Sequence, residues 1–431
     1  MKKDVWIIGF MLFALFFGAG NLIYPPTLGL ESGTTYWAAI AGFIITGVGL
    51  PIMAVTAIST VKNGAAELAD RVHPLFGAIF TAVVYLAIGP FFGIPRAATV
   101  AFEMSVEPFT SVSPFLLFLF TIIFFLLVYL VSINPSKMAD RIGEFLTPLL
   151  LLAIVILCIG GILLLDGGTQ NPASAYATAP SFTGFVEGYL TMDAIGGLAF
   201  GIIVIQAFND RGVSSRKQLI SATLKAGVIA GIGLSCVYAA LGWIGTRMGT
   251  SETFANGGDI LAAAADTMFG HFGTMLLGII VALACFTTSV GLVAACAQFF
   301  HKRTPLSYKQ IAAVVTIVSF LIANQGLNTI IRVSVPVLTF IYPIVIVLIA
   351  LTFLNRLFGG AAYVYRGAIL MTGVVSLYDG LIDFGISMPA LTSMMEHLPF
   401  FASGIGWLVP ALIGGIGGYV IQRNRTPSHS G

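Results

Sequence analysis

An aspartate interrupts an apolar stretch of this chain, in Met192-Asp193-Ala194-Ile195-Gly196-Gly197. An ionisable side chain far from water is expensive and points to ion or substrate chemistry. Asp193 either holds an ammonium group or satisfies backbone donors where a helix is broken. Far upstream, Phe16-Phe17-Gly18-Ala19-Gly20-Asn21 runs on into Leu22-Ile23-Tyr24-Pro25-Pro26. Gly18 and Gly20 weaken helix propagation, and the proline pair, which has no donors, closes the segment. The Asn21 carboxamide either offers oxygen to a cation or bonds unwound backbone. A third stretch, Ala284-Cys285-Phe286-Thr287-Thr288-Ser289, places three hydroxyls in an apolar helix. Taken alone, they are read as bonding carbonyls one turn back.

The elements that position these residues follow from composition. Of 431 residues, 58% are hydrophobic and 9% charged, against roughly 25% charged in a soluble domain. Such a chain is an all-α polytopic membrane protein. A bilayer-crossing helix needs about 20 apolar residues. Twelve stretches qualify, near 5–30, 35–60, 74–101, 113–133, 143–165, 182–208, 218–246, 272–300, 308–325, 328–354, 367–387 and 400–421. The N-terminal stretch reads as a span rather than a cleaved signal. The four cysteines, Cys158, Cys236, Cys285 and Cys296, lie in apolar runs and read as free and buried. Loops 166–181 and 247–271 are too short to fold alone, and residues 422–431 read as a disordered tail.

Lys and Arg set the orientation. With the N-terminus in the cytoplasm, sixteen cations fall inside: Lys2, Lys3, Lys62, Arg71, Lys137, Arg141, Arg211, Arg216, Lys217, Lys302, Arg303, Lys309, Arg356, Arg366, Arg423 and Arg425. Only Arg247 falls clearly outside. Both termini are therefore expected in the cytoplasm. The interruptions at Gly18–Asn21 and Met192–Gly197 are five spans apart, so the second copy has the opposite orientation. Paired interrupted helices in two halves point to a transporter binding site. Their unwound turns expose backbone groups that are costly in lipid unless a ligand uses them.

The residues also carry a resemblance. Phe13-Ala14-Leu15-Phe16-Phe17-Gly18-Ala19-Gly20-Asn21, then Pro25-Pro26 and Leu28-Gly29, resembles the opening of the branched-chain amino acid–cation symporters. Gly89-Pro90-Phe91-Phe92-Gly93-Ile94-Pro95-Arg96 and Gly188-Tyr189-Leu190-Thr191-Met192-Asp193 are similar to two further blocks of that family. The resemblance covers essentially the whole chain. It implies a LeuT-type core, an inverted repeat of five plus five spans with broken helices. Residues 1–165 would form the first repeat, 182–354 the second, and 367–421 two peripheral spans. It further implies a sodium site made of the Ala14 and Phe17 carbonyls, the Ala284 carbonyl and the Thr287 and Thr288 hydroxyls. A register slip of one would bring in Cys285 and Ser289. By the same resemblance Tyr85 touches the substrate carboxylate, with core packing as its alternative, and Phe200 and Phe286 are apolar walls. A bacterial plasma membrane is implied as well.

Substrate contacts are therefore expected from Gly18, Ala19, Gly20, Asn21, Tyr85, Asp193, Gly196, Gly197, Phe200 and Phe286. Arg96 and Arg332 sit in the outer thirds of their spans, where they either pair with Glu103, Glu107 or Glu187 as an external gate or snorkel to water. Asp379 and Asp383 share a helix face and are expected to contact neighbouring helices. No phosphate loop, HExxH or Cys/His metal spacing occurs, so no enzyme, no cofactor and no nucleic-acid partner is expected. No obligatory protein partner is indicated. The sequence reads as a carrier importing leucine, isoleucine and valine with a cation, Na+ or alternatively Li+ or H+. A channel is the rival from another class.

Overall fold

The computed structural model describes residues 2–62, 64–110, 113–134, 141–249, 254 and 256–425. Regular structure among these residues is helical throughout. Lys137 and the tail from Thr426 onward lie outside them. The last helix, Leu408–Arg425, takes in the start of the tail expected to be disordered.

Helices occupy every stretch expected to span. Seven are long and apolar enough to cross a bilayer, and the bent pair Pro180–Thr191 and Asp193–Asn209, turned by 45°, makes an eighth; Tyr308–Ala323 is shorter. This is a multi-pass membrane protein. The longest helical run, Ala19–Ser59, has 41 residues, about 60 Å at 1.5 Å per residue and twice a bilayer core. The 3-10 turn Gly33–Thr35, with Gly33 at φ 47°, divides it where the sequence separates two spans.

Contacts divide the chain into two units, residues 1–59 with 85–331, and residues 60–84 with 332–431. In the first unit, Asp193–Asn209 packs on Leu50–Ser59, Ala19–Ser32 on Arg216–Arg247, and His271–His301 on Gly93–Ser105. The outer loop after Arg247 carries a further helix, Gly257–Phe269, capped by Asn256. In the second unit, Ala362–Asp383 packs on Leu408–Arg425. Here Asp383 accepts from Thr339 at 2.6 Å, and Arg332 is exposed.

Three helix breaks lie in the first unit, one more than the sequence suggested. The first span breaks at Phe17-Gly18, between Lys2–Phe16 and Ala19–Ser32. Pro25 and Pro26 do not close the break; they lie inside the second helix. Glycines of the seventh span pack closely there: a Cβ would overlap the Pro26 carbonyl at Gly245 and stand 3.2 Å from the Pro25 carbonyl at Gly242. The sixth span breaks at Met192 alone, left-handed at φ 69°. Gly196 and Gly197, expected in the break, are helical. The third span breaks where a π-turn, Ala87–Phe91, ends in non-helical Gly89 and Phe92.

Candidate functional site

The three breaks converge on one cavity in the first unit. Its volume is about 30 Å³, room for little more than a water molecule. Leu15, Phe16, Gly18, Ala19, Gly20 and Asn21 come from the first span, and Thr191, Met192, Asp193, Gly196 and Phe200 from the sixth. Ile88, Gly93, Arg96 and Ala97 come from the third, Thr288 and Leu292 from the eighth.

One end of the cavity is polar. Asp193 opens its helix, so its carboxylate lies at the positive end of the helix dipole. Its Oδ2 accepts from Asn21 Nδ2 at 2.5 Å and from the Tyr238 hydroxyl at 3.2 Å. Asn21 also donates to Tyr238, closing a triangle between the first, sixth and seventh spans. The Asn21 amide nitrogen donates to two neighbouring side chains, which is neither of the two roles read for it. Tyr238 was missed in the sequence because it sits in Cys236-Val237-Tyr238-Ala239-Ala240 with no other polar signal. Its register with Gly231, Leu234, Leu241 and Gly245 on one buried face was the available clue.

Arg96 corrects a second expectation. It does not pair with Glu103, Glu107 or Glu187; it is 4% exposed and lines the cavity. Nη1 donates to the Leu190 carbonyl at 3.1 Å and Nη2 to the Thr191 carbonyl at 3.3 Å, the two residues before the Met192 break. Its guanidinium also stands 5.9 Å from the Tyr24 ring centre. The signal was present in Gly89-Pro90-Phe91-Phe92-Gly93: the break lets the helix restart, and Arg96 lies in its first turns.

The rest of the lining is mostly apolar. Leu15, Phe16, Ile88, Ala97, Phe200 and Leu292 belong to it, and the Phe16 and Phe200 rings meet edge to face at 5.6 Å. Three expected contacts lie elsewhere. Tyr85 is stacked on Phe299 at 4.0 Å, and Ile88, one turn on, lines the cavity in its place. Phe286 meets Phe124, being rotated by about 100° from its neighbour Thr287. Gly197 packs on the second span, where a Cβ would stand 2.7 Å from the Pro51 carbonyl.

Next to the cavity is a cluster of oxygens. The final carbonyls of Lys2–Phe16 lack helical partners and carry the negative end of the dipole. Thr287 Oγ1 donates at 3.0 Å to Ala14 and to Ala284. Thr288 Oγ1 donates to Leu15 at 3.0 Å and stands 3.4 Å from the Ala14 oxygen. The Leu15 carbonyl, which the resemblance did not name, joins the cluster beside Ala14. Cys285 and Ser289 do not enter the cluster; Ser289 Oγ is buried without a partner. The cluster adjoins the cavity through Gly18, where a Cβ would stand 2.8 Å from Thr288 Oγ1. The other cysteines differ from expectation at Cys236, which is exposed, and Cys158, which is half-buried.

Gly20 is another tight point of the site. A Cβ there would stand 2.9 Å from Arg96 Nη2 and 3.1 Å from Thr191. Gly20→Leu is expected to abolish leucine binding while the protein inserts normally. Binding of labelled leucine and thermal unfolding of the purified variant check this; a stable variant with wild-type binding would remove Gly20 from the site.

Against known proteins, residues 1–425 match the family described as branched-chain amino acid transport protein. The chain is 48% identical over 429 residues to the branched-chain amino acid permease BrnQ of Bacillus subtilis, covering 97% of each chain. It is 45% identical over 431 residues to the permease BraB of the same organism, covering 99% of this chain and 97% of the relative. Among solved structures, a nucleobase–cation-symport-1 family transporter in a closed conformation with bromovinylhydantoin bound superposes with a TM-score of 0.60 at 17% identity, covering 98% of this chain and 93% of that one. A manganese transporter of Eremococcus coleocola gives 0.57 at 15% identity, over 99% and 96%. The fold is that of a membrane transporter. The chain belongs to the branched-chain amino acid transport protein family, whose members are transporters and not enzymes.

Proposed function

We propose that this protein is a secondary active carrier that imports leucine, isoleucine and valine together with Na+ by alternating access. The observation that carries the reading is the cavity itself, lined by Asp193 and Arg96 together with aliphatic and aromatic side chains, and built at three helix breaks. The substrate ammonium binds Asp193. The carboxylate faces the N-terminal end of Ala19–Ser32, and the side chain enters the Leu15, Ile88, Phe200 and Leu292 wall. A cavity of about 30 Å³ does not admit leucine, so loading requires the broken helices to move apart, as alternating access demands.

The proposed architecture has twelve spans in a 5+5 inverted repeat plus two, in a bacterial plasma membrane with cytoplasmic termini. Contacts between loops support the sidedness. Asp4 and Arg211 form an ion pair at 3.7 Å, and Tyr308 donates to the Ser132 carbonyl, joining ends assigned to the inside. Arg247 donates to the Gly167 carbonyl, and Thr34 N–H to Gln170, joining ends assigned to the outside.

The test is uptake of labelled leucine by purified protein in liposomes, driven by an imposed gradient of Na+, Li+ or protons one at a time. Uptake that saturates, shows countertransport and follows Na+ is expected. Non-saturable flux would make the protein a channel, and uptake from the proton gradient alone would make it proton-coupled.

Specificity follows from the apolar wall. Each buried CH₂ adds about 0.8 kcal/mol, so leucine should outcompete alanine by roughly one to two orders of magnitude. Competition against labelled leucine checks this. Alanine, lysine or glutamate matching leucine would overturn it.

A further inference from the structure

A guanidinium buried at membrane depth is costly unless its donors and charge are used. Arg96 is 4% exposed. Two of its nitrogens meet the Leu190 and Thr191 carbonyls, and one side faces the Tyr24 ring. Its Nε is buried with no hydrogen-bond partner. Carbonyls and a ring face solvate the cation, and its charge interacts with the Asp193 carboxylate on the same cavity, so what is left over at the cavity wall is the Nε donor. The same cavity carries a carboxylate, Asp193, whose Oδ2 is held by Asn21 and Tyr238. One fixed cation and one fixed anion in a cavity too small for bulk water match a ligand that is itself a zwitterion.

We propose that Arg96 binds the carboxylate of the transported amino acid, with Asp193 on the ammonium, so that the site reads both charged ends of an α-amino acid. The inference rests on the proposed function and adds a residue to it. A guanidinium presents donors in a planar fork that fits the two oxygens of a carboxylate, which a lysine does not. Its place is consistent with that role: the nearest atom to a Cβ on Gly20 would be Arg96 Nη2, so Arg96 stands beside the amide end of Ala19–Ser32, which also favours an anion. The alternative is that Arg96 is a staple, pinning the sixth-span break to the third span.

The two roles separate when side chain and ligand are varied together. The assay is competition against labelled leucine on purified full-length protein, using leucine, leucinol (no carboxylate) and 4-methylpentanoate (no ammonium). In the wild type, leucinol should bind about ten- to a hundredfold more weakly than leucine, the range for hydrogen bonds to a charged group. In Arg96→Gln, leucine should fall to the level of leucinol while leucinol is little changed. The preference for leucine over 4-methylpentanoate should survive there and be lost in Asp193→Asn. A staple instead weakens all three ligands by one common factor in Arg96→Gln, and an unchanged leucine-to-leucinol ratio would overturn the proposal. Arg96→Lys keeps the charge but not the fork, and covers the case in which Arg96→Gln does not fold; its ratio should shrink severalfold, and a wild-type ratio would again overturn the assignment. A wild-type protein that binds none of the three would remove the proposed function beneath it, whereas leucine binding with an unaltered ratio removes Arg96 alone.

Discussion

Asp193→Asn is expected to reduce leucine uptake at low concentration by about a hundredfold or more while leaving the protein inserted and stable. The replacement has nearly the same shape. Its carbonyl oxygen can take over the bonds from Asn21 and Tyr238, which converge on Oδ2. The amide nitrogen must then occupy the remaining position, where it presents donors to an ammonium that needs acceptors. Binding loses a charge-assisted contact and gains a donor–donor clash, whereas folding keeps its triangle. Removing a partner from a buried charge pair costs about 2–5 kcal/mol, which is roughly thirtyfold to several thousandfold in affinity. Stability should change by much less, because the amide avoids the desolvation penalty of a buried carboxylate. Uptake kinetics and thermal unfolding, measured on the same preparations, check both halves. Wild-type kinetics in the variant would sink a charge-dependent role for Asp193. A variant that unfolds readily would make the triangle a structural device first.

How the site was legible in the sequence depends on what each residue contrasts with. Asp193 and Asn21 stand out because polar groups are rare in apolar runs and expensive there, whereas Thr287 and Thr288, ordinary when taken alone, were picked out by the family resemblance. Gly18 was legible because two glycines two apart, followed by a polar residue, make a poor helix interior. The same logic misled at Gly196 and Gly197, which are helical and, for Gly197, serve close packing on Pro51. The break lies instead at Met192, a residue with no intrinsic preference for a left-handed conformation. Within the turn the Thr191 hydroxyl receives the Asp193 N–H, and from outside Arg96 bonds the carbonyls of Leu190 and Thr191. Tertiary contacts of this kind leave no local mark. Tyr85 and Ile88 show the same limit at finer scale, since spacing identifies a helix but not the face it turns to a cavity. Tyr238 was invisible because a buried tyrosine is ordinary in a membrane helix until its hydroxyl is seen to have a partner.

Thr288→Ala is expected to raise the Na+ concentration needed for half-maximal leucine uptake by about tenfold or more, without changing which amino acid is chosen. The cluster supplies neutral oxygens from Ala14, Leu15, Ala284, Thr287 and Thr288. In the structure the two hydroxyl protons satisfy the carbonyls. A small cation can replace them: the hydroxyls turn their lone pairs inward, and the carbonyls take the ion in place of a proton. None of these oxygens titrates between pH 5 and 8, so the half-saturating Na+ concentration should be flat across that range. A proton-coupled carrier needs a group that changes protonation, and among the residues lining the cavity the candidate is Asp193. The ion would bridge the end of Lys2–Phe16 to the middle of His271–His301, and Thr288 lines both the cluster and the cavity. Binding that ties the first span to the eighth therefore also shapes the substrate site, and linkage requires that leucine tighten Na+ binding by the same factor. Loss of the Thr288 hydroxyl removes a ligand and strands the Leu15 carbonyl; Thr288→Ser keeps the hydroxyl and should restore most of the affinity. Thr287→Ala should act in the same direction, with some loss of stability, because Ala14 and Ala284 both lose a donor. The measurement is leucine uptake at varied Na+ for each variant, with competition by alanine and isoleucine run alongside. Full uptake from a pH gradient in buffer free of Na+ and Li+, indifferent to both alanine substitutions, would move the coupling from these oxygens to Asp193.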